Sequence, residues 1–364
     1  MYKTYGYGHD YGHSNTCGAT TINGETRMHL MPSALMKGTY EKFAQSMNAD
    51  SYAATQSVLK DRKHIVSFLD ESFYVGDLAF QHSKSQQRDS LISRSGERYW
   101  SETSIAMLLA TSGTLISDKE YGLAVVTNLP VIAHNENNVR KIKNTLSGDY
   151  DFVLDGIPRV AHVTVKKTVK EGAGANIAYG KNRKDKTAYI DIGGRTTDLY
   201  IVEGYMPIDD ACTSLEIGVE TAFNEVIKGF NGEFDVPLKL LDAYRLQMEY
   251  VRTKQYSEVP TVSGAELDVE KVHQYVERIV RETGSSIRES IRSFWNSGVE
   301  SNKVLSDVNL VLLVGGGAHY FEKDIRPLFK NRLKRTESPE YANALGYAQI
   351  AHHFLQKEAS KVGV

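Results

Sequence analysis

The sequence predicts an α/β protein of two domains built on one duplicated architecture, and three observations carry that reading. The segments Asp10-Tyr-Gly12-His-Ser-Asn-Thr16 and Asp191-Ile-Gly193-Gly-Arg-Thr-Thr197 both spell D-x-G-x-x-x-T, one in each half of a 364-residue chain. At a usage of roughly one in fifteen for each fixed letter, about 0.1 copies are expected by chance. The second observation is length, because one core rarely serves more than ~250–300 residues. The third is that apolar strand-like runs and helical periodicities occur in both halves.

Taken in order, Lys3 to His9 reads as an unusual strand, alternating Tyr and Gly where a buried parallel strand is normally rich in Val and Ile. Apolar residues are sparse from Tyr40 to Ser57, which reads as weakly structured. Ser72 to Ala79 is a strand passing through Gly76 into a helix, and Ser101 caps a helix to Leu115 with Ile105, Leu108 and Leu109 at helical spacing. Gly122 to Pro130 is a buried strand. The basic stretch from Lys166 to Lys186 reads as a solvated loop before the strand Thr187–Asp191. Asp198 to Val202 continues that hairpin. Helices follow over Val219–Lys228, Leu238–Thr253 and Val269–Trp295, the last with Glu277, Arg281 and Arg288 on a solvated face. Leu310 to Val314 is a buried strand ending in Gly315-Gly316-Gly317, and a helix from Tyr341 to about Glu358 closes the chain.

Composition narrows the function classes. A hydrophobic content of 41%, a charged content of 24% and a formal net charge of −2 describe an ordinary globular protein without the basic excess of a nucleic-acid surface. Two cysteines, Cys17 and Cys212, are too few for a disulfide framework and fit a reducing, cytoplasmic compartment. The N-terminal residues include no apolar stretch of the kind a secretory signal needs. The run Leu310–Val314 is far too short to span a bilayer.

The motif chemistry is that of phosphate. A carboxylate at a strand end orients a hydrated cation. The glycine after it removes a side chain where phosphate approaches the backbone, and the hydroxyl and amide groups that follow can donate to phosphate oxygens. Other phosphate and metal signals fail. No G-x-x-x-x-G-K-[ST] is present, and Gly6, Gly8 and Gly12 miss the dinucleotide fingerprint by one residue. His9 and His13 lack a third ligand nearby, and Cys17 lacks a His/Asn partner for nucleophilic work.

Four elements stand in order: the first motif, Glu171-Gly-Ala-Gly-Ala175, the second motif, and an apolar strand ending in three glycines. This order resembles the actin-like ATPase superfamily. The details resemble most its plasmid-segregation (ParM-type) branch and the archaeal actin-like proteins. The matching segments are Asp191–Asp198, Leu215-Glu-Ile-Gly-Val219, Leu313–Ala318 and Ala342-Asn-Ala-Leu-Gly-Tyr347. Looser ones are Val75–Ala79 and Thr127–Val131, where that branch usually has glycine in place of Asn128.

The resemblance implies two actin-like (ribonuclease H-like) domains with a nucleotide cleft between them. Domain I would be residues 1–186 with the helix 341–364 packing back, and domain II residues 187–340. ATP and magnesium are the implied ligands, with Asp10 and Asp191 holding Mg2+ through its water shell, in keeping with that ion's reluctance to dehydrate. Gly12, His13, Ser14, Asn15 and Thr16 would form one phosphate turn, and Gly193, Gly194, Arg195, Thr196 and Thr197 the other. Gly315, Gly316, Gly317 and Ala318 would lie against the adenosine. Glu171 would position the attacking water and take its proton, with Asp10 and Asp191 completing the catalytic set. One departure stands out: Cys17 occupies the place where this branch commonly carries a lysine or similar donor, and Lys166 or Arg195 are the candidates to replace that cation.

The activity implied is an ATPase coupled to head-to-tail assembly of a homopolymer, since a heterologous contact that does not close propagates into a filament. In the family such filaments move plasmid DNA through an adaptor protein, so a DNA-binding adaptor is an expected partner, with neither direct nucleic-acid contact nor membrane contact. Two rivals remain open from the sequence: a small-molecule kinase of the same superfold, for which no aspartate-base motif is found, and a weakly hydrolysing nucleotide-binding scaffold, which Cys17 keeps alive.

Overall fold

The computed structural model describes residues 2–47, 55, 57–82, 96–130, 133–180, 186–204, 206–238, 240–253, 267–296 and 307–362. They form two compact units, one within 1–84, 89–179 and 341–364 and the other within 180–340. The first unit opens with the antiparallel meander β1 (Lys3–Tyr11), β2 (Asn15–Ile22) and β3 (Glu25–Pro32). Next come β4 (Leu35–Lys37), α1 (Tyr40–Ser46), β5 (Lys63–Phe68), β6 (Glu71–Gly76), α2 (Asp77–His82) and α3 (Glu102–Leu115). The run β7 (Glu120–Leu129), α4 (Glu136–Leu146), β8 (Gly148–Leu154), β9 (Ile157–Lys170) and α5 (Ala173–Tyr179) completes this stretch. Its strands join one sheet in the order β3-β2-β1-β7-β9-β8-β5-β6-β4, with β1, β7 and β9 parallel to one another.

The second unit repeats the opening move. β10 (Lys186–Ile192) and β11 (Thr197–Glu203) form an antiparallel hairpin, followed by β12 (Met206–Pro207), β13 (Thr213–Leu215), α6 (Val219–Phe234), α7 (Leu240–Thr253) and α8 (Val269–Asn296). β14 (Val308–Val314) pairs parallel with β10, and α9 (Ala318–Phe329) and β15 (Leu333–Arg335) follow. The core places Ile190, Ile192, Leu199 and Ile201 against Phe223, Val226 and Phe230 of α6 and Val276 and Val280 of α8. The last helix, α10 (Ala342–Val362), belongs to the first unit and packs on β1, β2, β7 and α5.

That packing accounts for the odd composition of β1. Successive residues of a strand face opposite sides. A Cβ on Gly8 would run into the Ala344 carbonyl, and one on Gly6 would stand 2.7 Å from the His352 amide nitrogen, so the glycines let α10 lie directly on the strand. Tyr7 points the other way and donates to Thr111 Oγ1 of α3 at 2.8 Å. His9 lies between the Tyr7 and Tyr11 rings at 6.3 and 6.1 Å and is fully buried. The Tyr/Gly alternation is therefore a two-faced pattern, with aromatic rings on one side and helix backbone on the other. Helix α3 is buried almost all round, from Ser104 to Leu115.

Three expectations change. Tyr40–Ser46 is a helix, with Thr39 accepting the Lys42 amide (3.3 Å) and Phe43 buried, while 48–54 and 56 lie outside the described residues. The basic stretch is not one loop: residues 166–170 finish β9, Ala173–Tyr179 forms α5, and 181–185 lie outside the described residues. Lys166 is the extra residue where the pairing of β7 with β9 shifts between Val125 and Val126, and its ammonium donates to Glu358 of α10 at 2.8 Å. Finally, Arg281 is not on a solvated face. It donates to Asp324 of α9, to the Tyr320 carbonyl, and to the Tyr250 hydroxyl at 3.1 Å, tying α8 to α9 and α7.

Candidate functional site

Each motif is the tip of a β-hairpin, and the two hairpins have the same register. Tyr11 pairs with Thr16 and Asp10 with Cys17; Ile192 pairs with Thr197 and Asp191 with Asp198. In both, the aspartate strand also pairs in parallel with an inner strand, β1 with β7 and β10 with β14. The carboxylates thus end equivalent strands, and the turn residues lie between equivalent positions. A Cβ on Gly12 would stand 2.6 Å from the Asn15 carbonyl oxygen, so the first turn closes only around glycine. In the second, the Gly193 amide donates to the Thr196 carbonyl at 2.8 Å.

The threonines that end the motifs are buried and hold the turns from behind. Ser33 donates its hydroxyl proton to the Gly12 carbonyl (2.8 Å), so at 2.9 Å Thr16 is the donor and Ser33 Oγ the acceptor. The Ser33 amide also donates to the Ser14 carbonyl at 2.9 Å. Thr197 donates to the Ile217 carbonyl at 2.8 Å. Both threonines have no exposed surface. Their hydroxyls donate within the hairpins' own surroundings. Thr196 is committed as well, donating to Asp198 Oδ2 at 3.0 Å.

The first turn gathers charge. Burial pushes the Asp10 carboxyl up to about 7, against the opposing pull of the Asn128 amide and the Arg98 charge. Asp10 Oδ1 is buried with no hydrogen-bond partner among the described residues. A carboxylate in that state fits a hydrated magnesium ion, whose charge would satisfy the oxygen and lower its proton affinity. No three His, Cys, Asp or Glu side chains converge into a protein-only cage among the described residues. Glu171 follows β9 directly, its amide donating to the Leu129 carbonyl at 2.8 Å, and its charge reaches both Arg98 and Tyr99. The Ala175 amide at the start of α5 donates to Asn343 Oδ1 of α10 at 3.2 Å, so the match at Ala342–Tyr347 is explained here by helix packing.

Sequence reasoning missed Arg98. Of the two proposed replacement cations, Lys166 pairs with Glu358 of α10, and Arg195 is exposed and pairs with Glu216 at 3.1 Å. Arg98, in a 3-10 turn over Gly96–Trp100, stands at the first turn: its Nη1 donates to His13 Nδ1 at 2.9 Å. The available signal was an arginine embedded beside Tyr99 and Trp100, just before the capping Ser101.

The second turn is a backbone cradle. The Val219 and Glu220 amides of α6 donate to the Gly193 and Gly194 carbonyls at 3.2 and 2.7 Å. Gly315 has φ +78°, and a Cβ there would strike Asp191 Oδ1. Gly317 donates its amide to the Ile192 carbonyl at 2.8 Å, and a Cβ there would strike the Ile192 side chain. Two of the three glycines are thus required by the hairpin itself, and Gly316 alone faces open space. Ala318 is buried at the start of α9.

Comparison with known proteins agrees with this architecture. Residues 8–174 match the family model for the N-terminal domain of actin-like proteins, and residues 189–327 that for the C-terminal domain of archaeal MreB-like actin homologues. The crystal structure of Ta0583, an archaeal actin homolog, superposes with a TM-score of 0.71 at 18% identity, covering 96% of this chain and 99% of its own. A 15-stranded ParM filament from Clostridium botulinum gives 0.70 at 18%, covering 97% and 100%. The ADP complex of Ta0583 gives 0.69 at 16%, covering 96% and 99%. No curated protein matches the sequence. No helix among the described residues is long and apolar enough to cross a membrane. Two family models in series, over a fold shared end to end with such structures, place the chain among the actin-like proteins.

Proposed function

We propose that this chain is an ATP-dependent filament protein that assembles head to tail and whose filament is weakened by hydrolysis. The observation that carries the reading is the pair of hairpins of identical register, each with a carboxylate near the end of its first strand followed two residues later by a glycine that opens the turn. The residues 1–186 with 341–364 act as domain I and 187–340 as domain II. The turns Gly12–Asn15 and Gly193–Arg195 receive phosphate, the second through the Gly194 and Arg195 amides because the Gly193 amide closes the turn, with His13 adding a side-chain donor at the first. Asp10 and Asp191 hold magnesium through its water shell, and the ion, when bound, supplies charge neutralisation for the phosphates. Glu171 accepts the proton of the water that attacks the terminal phosphorus, releasing phosphate and ADP. The homology to a ParM filament and to an archaeal actin homolog with bound ADP supports the assembly and nucleotide parts of the reading. DNA segregation through an adaptor protein is the cellular task this reading favours.

Sedimentation and light scattering with ATP, GTP, ADP and no nucleotide test it. Pelleting above a critical concentration with a triphosphate alone is the expected result. A chain that stays monomeric at every concentration while transferring phosphate to a sugar or acid would be a small-molecule kinase, and the filament reading would be lost.

A further inference from the structure

Arg98 carries a positive charge that no carboxylate among the described residues neutralises by direct pairing. It is 7% exposed, and its guanidinium lies over the Tyr11 and Tyr99 rings at 5.3 and 4.6 Å. Its hydrogen-bond acceptors are neutral: His13 Nδ1 at 2.9 Å and the Tyr99 hydroxyl at 2.7 Å. Among the described residues it makes no ion pair, although its field reaches Glu171 and Asp10. A buried cation without a counter-charge is costly. This one is held by aromatic stacking, a mode that suits a guanidinium and not an ammonium.

The contact with His13 has a second consequence. An arginine only donates, so His13 Nδ1 is the acceptor of this hydrogen bond and the ring proton lies on Nε2. The first turn is thereby provided with a fixed Nε2–H donor as well as a planar cation. Both sit where the turn that follows Asp10 would receive phosphate, and both take the place of the side-chain cation that Cys17 lacks.

We propose that Arg98 is the phosphate-recognising cation of the first turn, that it meets the terminal phosphate of ATP, and that His13 serves beside it as an oriented donor. The inference rests on the nucleotide reading given under Proposed function. The terminal phosphate is favoured because Arg98 shares its surroundings with Glu171, the group assigned to the attacking water, and a fork of N–H donors matches a phosphate bearing two or more free oxygens. Arg98 would then distinguish ATP from ADP, and so report hydrolysis to the first unit.

The test is magnesium-dependent binding of ATP and of ADP, measured by calorimetry on the full chain and on Arg98→Met, Arg98→Lys and His13→Phe. Arg98→Met should weaken ATP about 10- to 100-fold and ADP by less than about 3-fold. Arg98→Lys should fall between wild type and Arg98→Met for ATP, and His13→Phe should cost ATP about 3- to 10-fold. Should Arg98→Met fail to fold, the wild-type chain still decides: the His13 ring nitrogen resonances should move on binding ATP and much less on binding ADP. Equal losses for ATP and ADP, or His13 resonances that respond alike to both, overturn the proposal and leave nucleotide binding standing. A wild-type chain that binds neither nucleotide removes the reading beneath it.

Discussion

The two hairpins share a backbone and differ in what surrounds it. Opposite Asp10 stands Cys17, in a neighbourhood with Arg98, His13, Asn128 and Glu171; opposite Asp191 stands Asp198, in a neighbourhood of glycines and helix amides. The cation of the first is buried and stacked, and that of the second is exposed and tied to Glu216. Duplication has kept the register and let the chemistry diverge. The first copy gathers titratable and cationic side chains, and the second is a backbone seat around the paired Asp191 and Asp198.

If chemistry is concentrated beside the first hairpin, the largest effect of any substitution there should be on rate and not on assembly. Glu171→Ala should slow phosphate release by about 10²- to 10⁴-fold, the usual worth of a positioned general base, with triphosphate-dependent pelleting largely kept. A normal rate of phosphate release from that variant would return Glu171 to the role of a surface carboxylate and blur the contrast.

The second hairpin should fail structurally instead. Gly315→Ala combines a left-handed backbone with a collision against Asp191, and a loss of roughly 2–4 kcal/mol is expected from strain and overpacking together. Gly316→Ala meets no protein atom and should leave the melting temperature unchanged while weakening nucleotide binding, if that glycine faces the adenosine. Equal melting temperatures for the two variants would show that the seat is softer than the geometry indicates.

Acid should act on the first unit in particular. Burial lowers the pKa of both His9 and His29 from 6.5 to about 3, with neighbouring positive charge adding to the effect at His29. Between those values the unfolded chain binds the proton and the folded one does not. Stability therefore falls as pH drops through that window, by about 1.4 kcal/mol per pH unit for each histidine. Asp10 works the other way between 3.8 and about 7, where the folded state is the one that binds the proton, so it offsets part of the loss. His9→Phe should flatten the dependence of unfolding free energy on pH between 6.5 and 4. Parallel curves for variant and wild type would mean that His9 finds a proton partner in the folded protein.

How much of this was legible follows from the range over which each signal acts. The strands Thr187–Asp191 and Leu310–Val314 and the helix Val269–Trp295 were readable because their patterns are local, and they recur within two residues of the bounds found, while the helix expected over Val219–Lys228 starts where expected and runs on to Phe234. The carboxylates and glycines of both turns were readable for the same reason. Arg98 was not, because it lies 85 residues from His13 and its meaning comes from three aromatic and imidazole neighbours brought there by the sheet. The Lys166–Lys186 stretch misled because a register shift moves Lys166 out of the alternation of β9, so charge frequency masked a strand. Arg281 misled because helical periodicity gives a face and not the partner that covers it.

The threonine at the end of each motif offers the finest comparison, since the sequence assigns both to the ligand and both donate hydrogen bonds within the protein. Thr16 donates to Ser33, whose own hydroxyl holds the Gly12 carbonyl, so its loss would loosen a two-step chain; Thr197 donates directly to one carbonyl. Replacing either by valine keeps the shape and removes one buried hydrogen bond, a change of about 1 kcal/mol. Thr16→Val should therefore cost slightly more than Thr197→Val in chemical denaturation, because Ser33 Oγ also loses its donor, while nucleotide affinity shifts less than about 3-fold in both. A tenfold loss of ATP affinity in either variant, at unchanged stability, would put its hydroxyl back on the ligand and make the duplicated threonine a functional signal after all.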